Sequence, residues 1–435
     1  MPSWFMPIAN SGATIINDMK LLVFYPYLPY PLDRGTYHRT FNLLKELAGA
    51  HEVDLLALTE NGEGEEHKHV FAEFCNKVET ISFKHPDWQK MFPDRLLNPL
   101  PPNVAHWTLP QVEPVVDRLL TAGKYDAVHV CDIVLAQYFT NKKRASIPMI
   151  VDRSRVDLQF QLAEHSRMNF SLKTRFLRYE GYAKLLAFEK KVAARAAMEV
   201  VCGPDDKVFI QKYISKKVPI EVVVNGVDLD YFRESPIPTA RAQNPSLIFC
   251  GAMDYNPNVD ALRWYFEAIH EGILKQIPNL QVLIVGKSPI PEVKAYGEKP
   301  GVHVTGGVPD VRPYYGQAWL QIVPLRIGGG TRLKIVESMA LGTPVISTTI
   351  GAQGLDLIHK QDILLADTPE TFITETVEAL KDESLRKRLS IAAIETASQR
   401  LSWRTIGKRL AELYDRKFKS RNANPITPPP QALFR

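Results

Sequence analysis

The chain has 435 residues, of which 45% are hydrophobic and 23% charged, with a formal net charge of +5. That length suits two large α/β domains, and the composition excludes a largely disordered or fibrous chain. The mild basicity suits anionic small ligands or a lipid surface, and the sequence lacks the dense Lys/Arg patches of a nucleic-acid binder.

The first 18 residues, MPSWFMPIANSGATIIND, lack a basic start followed by an apolar core, and read as an extension rather than a signal peptide. The first strand is Leu21–Tyr25, followed by a Pro- and Gly-rich loop, PYLPYPLDRGTYHR. RTFNLLKELAGA then has helical apolar spacing. HEVDLLAL, KVETISF, YDAVHV, IPMIVD, MEVVCG and PIEVVV read as six further strands, with a long charged helix over 172–197 before MEVVCG. Strands alternating with helices predict βαβ units and a parallel sheet. Residues 233–245 are polar, Pro-rich and without periodicity, as a linker would be.

A second series follows: SLIFCG, the loop AMDYNPNVD, the helix ALRWYFEAIHEGIL, then the strands LQVLIVG, VHVTG, LQIVPL, PVIST and ILLA. WRTIGKRLAELYDRKF closes the fold, and NPITPPPQALFR reads as a flexible tail. The expected organisation is therefore an extension (1–18), a first Rossmann-like domain (19–232), a linker (233–245), a second Rossmann-like domain (246–402), a closing helix (403–420) and a tail (421–435). The expected class is α/β, two doubly wound parallel sheets facing across a crevice, with ligands outside the carboxyl ends of the strands. No apolar run approaches the ~20 residues of a membrane span. A cytoplasmic protein is expected, with peripheral membrane contact left open. Cys75, Cys131, Cys202 and Cys250 are far apart and lack metal spacing, so they read as buried reduced thiols.

The most informative stretch is GGGTRLKIVESMALGTPV, residues 328–345. Its glycines free the backbone for close approach to a ligand, and the helix start after them favours an anion. Gly329, Gly330 and Thr331 are the candidate backbone donors; Arg332 and Lys334 add full positive charge. Glu337 follows about 9 Å further along the helix, near the step from a diphosphate to a ribose, where a carboxylate can accept from sugar hydroxyls. Lys334 and Glu337 are also spaced for a plain i, i+3 ion pair.

Elsewhere, Gly251 ends a strand where a ligand could approach the backbone. Asp254, Asn256 and Asn258 suit hydrogen bonds to hydroxyls or a turn beside Pro257. Asp132 can orient an acceptor hydroxyl or cap the following helix. Arg34 and Arg39 suit an anionic acceptor, with solvated surface the simpler reading. Asp228-Leu229-Asp230 imitates a metal-binding pair, but follows VVVNGV in the interdomain segment, so no metal is expected there. A dinucleotide dehydrogenase is disfavoured, since the turn after the first strand lacks G-x-G-x-x-G.

In order along the chain, PYLPYPLDRGTYHRTFNLLKELAGAHEVDLLAL, VVVNGVDLDYF, IFCGAMDYNPNVDALRWYF, VGKSP and GGGTRLKIVESMALGTPV resemble the GT-B fold glycosyltransferases, specifically family 4 (group 1), from about Met19 to Lys417. The resemblance implies a hexosyltransferase-type enzyme of polysaccharide or glycoconjugate biosynthesis. It implies a nucleotide-diphosphate sugar as donor, a saccharide or lipid-linked acceptor, retention at the anomeric carbon, and no separate cofactor. It also implies that Gly35 faces the crevice near the donor. Three positions depart from the usual pattern. Gly329 stands where many members keep a first glutamate, and the loop GAMDYNPNVD carries no cation, so Arg332, Lys334 or Arg326 would supply charge to the diphosphate. Cys131 or Asp132 stands where members often have a His, with His129 turned to the opposite side of the strand from Val130. A nucleotide-sugar-binding protein without catalysis, or a nucleotide-sugar isomerase, are the alternative readings.

Overall fold

The computed structural model describes residues 19–32, 35–84, 95, 97–165, 171–233, 241–327 and 332–419. Among these residues thirteen strands form two sheets, and every pairing within the sheets is parallel. The first contains β1 (Lys20–Tyr25), β2 (Glu52–Glu60), β3 (Lys77–Phe83), β4 (Ala127–Cys131), β5 (Met149–Arg153), β6 (Met198–Val201) and β7 (Ile220–Val222), in the order β3-β2-β1-β4-β5-β6-β7. The second contains β8 (Ser246–Cys250), β9 (Gln281–Val285), β10 (Val302–Gly306), β11 (Leu320–Val323), β12 (Val345–Ser347) and β13 (Leu364–Leu365), in the order β10-β9-β8-β11-β12-β13. The strands read as short, near-continuous apolar runs because both faces of a parallel sheet are covered. All of Leu21–Tyr25 and all of β8 are buried, for example.

The strand order reverses between β1 and β4 and again between β8 and β11, and loops leaving the carboxyl ends of those strands diverge to opposite faces. Four helices start there: α1 (Gly35–Ala50), α2 (Ile133–Ala136), α5 (Asn256–Trp264) and α6 (Leu333–Ala340). Three others bear on the site from elsewhere in the chain: α3 (Leu172–Arg195), α4 (Leu229–Arg233) and α7 (Trp403–Tyr414). Helix α1 begins four residues, and α5 five residues, before the apolar periodicity predicts. Their first turns, GTYH and NPNV, are mostly polar and carry no apolar stripe to read, and Pro257 is preorganised for the first turn of α5.

After the second sheet the chain returns to the first. Trp403, Ile406, Leu410 and Tyr414 of α7 share a core with Leu43 and Leu47 of α1 and with strands β1 and β2. The two passages between the sheets lie side by side: Val227 N–H donates to Leu401 O (2.8 Å), and Trp403 N–H donates to Val227 O (3.1 Å). Within the span read as a linker, Ala242 N–H donates to Gln317 O, and Arg241 donates to Gly342 O, so residues 241–242 belong to the second domain's surface.

Candidate active site

On the second domain, the loops after β8 and β11 converge. Gly251 ends β8 with φ +153°, and its N–H donates to Val285 O (3.0 Å). A Cβ there would sit 2.7 Å from Asn258 Nδ2 and 3.0 Å from Lys334 Nζ, so the bare backbone is what admits both side chains. Lys334 Nζ donates to Asn258 Oδ1 (2.7 Å) and lies 4.3 Å from the centre of the Phe249 ring. Asn258, 5% exposed, donates in turn to Ala252 O (2.8 Å). Burial pulls the Lys334 pKa down to about 8; Arg332 adds to this, and Cys250 and Glu337 oppose it. Lys334 is thus an ammonium held by a neutral amide, with no carboxylate bonded to it among the described residues, and the i, i+3 ion pair with Glu337 does not form.

Glu337 lies on the next part of α6, and its Oε2 accepts from Tyr315 Oη (3.2 Å). Burial raises its pKa, while the Tyr315 bond and Lys334 hold it back. Tyr315 is fully buried and fixes the carboxylate from behind. No sequence motif marks it, since RPYYGQ reads as ordinary helix. Arg332 is the N-cap residue of α6 and partly buried; burial lowers its pKa, and Tyr255, Asp206 and Asp205 oppose that shift. Gly329, Gly330 and Thr331 lie outside the described residues. Asn256 is exposed at the first residue of α5, while Asn258, two residues on, points into the cluster. Arg326 is engaged by Asp260 of α5 in a two-pronged pair (2.7 and 3.1 Å), which takes its charge away from the Lys334 cluster.

On the first domain, Gly35 is the first residue of α1 rather than part of the loop. A Cβ there would lie 3.3 Å from Leu333 Cδ1, so the starts of α1 and α6 face each other across the crevice. Asp132 follows β4 with φ +78°, an uncommon conformation for a residue with a side chain. Its N–H donates to Asp152 O (2.9 Å), and its Oδ1 caps α2 by accepting from Val134 N–H (3.4 Å). Burial lifts the Asp132 pKa to about 6, and the charge of Asp157 adds to the lift. The cap is long, and it holds the carboxyl at the carboxyl end of β4.

Behind Asp132 sits a network that corrects the surface reading of Arg39. Arg39 is 1% exposed; it donates to Asp152 Oδ1 (2.7 Å), Val223 O (2.6 Å) and Asn225 Oδ1 (3.0 Å). Its partner lies 113 residues away, so sequence spacing holds no trace of the pair. His129 is fully buried, with Nδ1 2.8 Å from Tyr414 Oη of α7 and Nε2 3.6 Å from Asp152 Oδ2. It faces this network rather than the crevice. Arg34 lies outside the described residues. Asp228 Oδ1 caps α4 by accepting from Tyr231 N–H (3.1 Å), and among the described residues no three His, Cys, Asp or Glu side chains gather as a metal site. The four cysteines are free and buried.

Residues 244–382 match the family described as Glycosyl transferases group 1. An uncharacterized 44.6 kDa protein in the cps region of Klebsiella pneumoniae is 24% identical over 158 residues, a match spanning 34% of this chain and 41% of that protein's length. Among solved structures, sucrose-phosphate synthase from Thermosynechococcus elongatus superposes with a TM-score of 0.65 at 18% identity, covering 92% of this chain and 100% of that one. Anabaena HepE in complex with UDP-glucose gives 0.60 at 17%, covering 92% and 100%. WaaG, a glycosyltransferase involved in lipopolysaccharide biosynthesis, gives 0.60 at 17%, covering 91% and 99%. The span that holds Gly251, Asn258, Lys334 and Glu337 therefore matches the Glycosyl transferases group 1 family, and it lies in the second half of a GT-B fold.

Proposed function

We propose that the chain is a glycosyltransferase that moves a sugar from a nucleotide-diphosphate sugar to a saccharide or lipid-linked acceptor, with retention at the anomeric carbon and without an essential metal. The observation that carries this reading is the pair on α6. An ammonium held by Asn258 beside the bare backbone of Gly251 lies one helical turn from a carboxylate held by Tyr315. One end suits a diphosphate and the other a ribose. The HepE complex with UDP-glucose supports a nucleotide-sugar ligand for a fold of this kind.

In this reading Glu337 accepts from the ribose hydroxyls, while Arg332, Lys334 and the start of α6 meet the diphosphate. Cleavage of the bond from the anomeric carbon to the diphosphate oxygen leaves charge on that diphosphate, and fixed cations stabilise it more in the transition state than in the ground state. Asp132, across the crevice, orients the acceptor hydroxyl whose oxygen forms the new bond as its proton passes to the departing diphosphate. Gly35 sits where α1 closes over the donor.

The test is a panel of nucleotide sugars, read by thermal shift and by nucleotide release with oligosaccharide and lipid-linked acceptors. One donor should raise the unfolding midpoint, as a ligand that binds only the folded state must. Release should then depend on acceptor and survive chelator. Stabilisation by no nucleotide sugar would end the reading; release abolished by chelator would end its metal-independent part.

A further inference from the structure

A surface helix normally turns its polar side to water. Helix α3 does not. Leu172, Phe176, Tyr179, Ala183 and Ala187 recur at three- and four-residue spacing, so they share one face over about 22 Å. That face is exposed: Leu172 is 83%, Phe176 64% and Tyr179 54% accessible, and both alanines are exposed. The opposite face, with Tyr182, Leu185, Phe188 and Val192, is buried in the first domain. The core therefore does not account for the outer apolar stripe.

Residues 172–195 contain seven Lys or Arg and two Glu. Neither carboxylate is left to offset the exposed cations: Glu189 is fully buried and bonded to Arg153 (2.5 Å), and Glu180, beside the stripe at four residues from Phe176, is already held by Arg95 (3.0 Å) and Lys184 (2.5 Å). Lys173, Arg175, Lys190 and Lys191 are exposed. An apolar, aromatic-bearing face bordered by uncompensated basic residues is the pattern of an interfacial helix on anionic lipid. No helix among the described residues is long and apolar enough to cross a membrane, so contact would lie in the interface plane.

We propose that the outer face of α3 docks on an anionic phospholipid bilayer, with Leu172, Phe176 and Tyr179 entering the headgroup region and Lys173 and Arg175 meeting lipid phosphates. Helix α3 leads into β6 and so runs opposite to the strands. Its Leu172 end is level with their carboxyl ends, on the crevice side. On the glycosyltransferase reading, this presents the acceptor side of the crevice to the membrane; the docking itself does not depend on that reading.

The test is co-sedimentation of the full chain with phosphatidylcholine vesicles, with and without about a third phosphatidylglycerol. Anionic vesicles should bind at least about tenfold more protein. Replacing both Leu172→Ser and Phe176→Ser should lower that binding by about tenfold or more. Lys173→Glu with Arg175→Glu should remove the preference for anionic lipid, at about fivefold or more per basic residue. Both variants should keep the wild-type unfolding midpoint and wild-type nucleotide-sugar binding in vesicle-free solution, which separates loss of docking from misfolding and from failure of the donor site. Binding to neither vesicle, or equally to both, would overturn the proposal. So would a concentration-dependent dimer that the Ser pair dissolves while vesicle binding stays unchanged, an outcome that assigns the face to a second copy of the chain.

Discussion

At the scale of single residues, α6 carries two groups whose surroundings set opposite requirements. Glu337 is raised by burial yet has its Oε2 fixed by Tyr315, so its oxygens are preorganised as acceptors. Hydrogen bonds to a charged group contribute about 1.5–3 kcal/mol, equivalent to roughly 10- to 150-fold in affinity. Glu337→Gln keeps the shape of the side chain and is expected to weaken nucleoside diphosphate binding by that factor. Inorganic pyrophosphate, which has no ribose, should bind the variant as it binds wild type. Equal losses for both ligands would remove Glu337 from the ribose. Lys334 titrates near 8 in the empty site because burial disfavours its charge. A diphosphate brought beside it favours the charged form. Binding above pH 8 must therefore take up a proton, and affinity must fall as pH rises through about 8. Calorimetry at pH 9 in two buffers of different ionisation heat should register that uptake in wild type and not in Lys334→Ala. A wild-type affinity flat from pH 7 to 9.5 would show that Lys334 does not meet the diphosphate.

At the scale of elements, the chain separates into what local pattern encodes and what only tertiary contact decides. The strand runs at 21–25, 246–250 and 281–285 are legible because a strand buried on both faces is almost wholly apolar. The glycine-rich segment and Glu337 are legible because their chemistry sits within ten residues. The starts of α1 and α5 are not, since polar first turns have no periodicity. Nor is the partner of Lys334, because Asn256 and Asn258 look alike in sequence and only the turn of α5 selects Asn258. The buried state of Arg39 is the deepest omission, as it depends on Asp152 of β5, 113 residues further along the chain. That pair has a measurable consequence. Burial raises the Asp152 pKa, but Arg39 and His129 outweigh it and hold the carboxyl at about 2, below its usual 3.8. Its contribution to stability is present above 3.8 and is lost as pH falls through about 2. Asp152→Asn leaves the Arg39 guanidinium buried without its counter-charge, a loss of about 3–5 kcal/mol. Urea unfolding should show this deficit in full at pH 7 and a smaller one near pH 2. An unchanged midpoint at pH 7 would mean that Arg39 is compensated by the carbonyl of Val223 and by Asn225 alone.

At the scale of the whole molecule, the chain leaves the first sheet through 223–227 and returns to it through 401–403, and these two passages hydrogen-bond to each other. One of them is tied to the first domain through the bonds of Arg39 to Val223 and Asn225. Gly226 lies where the passages touch: a Cβ there would come within 2.9 Å of Leu401 O, Trp403 N and Ile406 Cδ1. Two of these are backbone atoms that cannot turn aside, so a branched side chain must push the passages apart and change how the domains meet. Gly251, Asn258, Lys334 and Glu337 all belong to the second domain, so on the proposed function nucleotide binding does not require the first to be in register. On the same proposal transfer does require it, because Asp132 and Gly35 would approach from the first domain and closure around the donor would exclude water. Gly226→Val is therefore expected to keep nucleoside diphosphate affinity within about twofold of wild type while acceptor-dependent nucleotide release falls by at least about tenfold. Donor hydrolysis without acceptor should rise relative to transfer, as a crevice that closes poorly admits water. Loss of nucleotide affinity in parallel with turnover would place the damage in the second domain instead, and turnover at the wild-type rate would show that the junction at Gly226 does not govern how the two halves of the site come together.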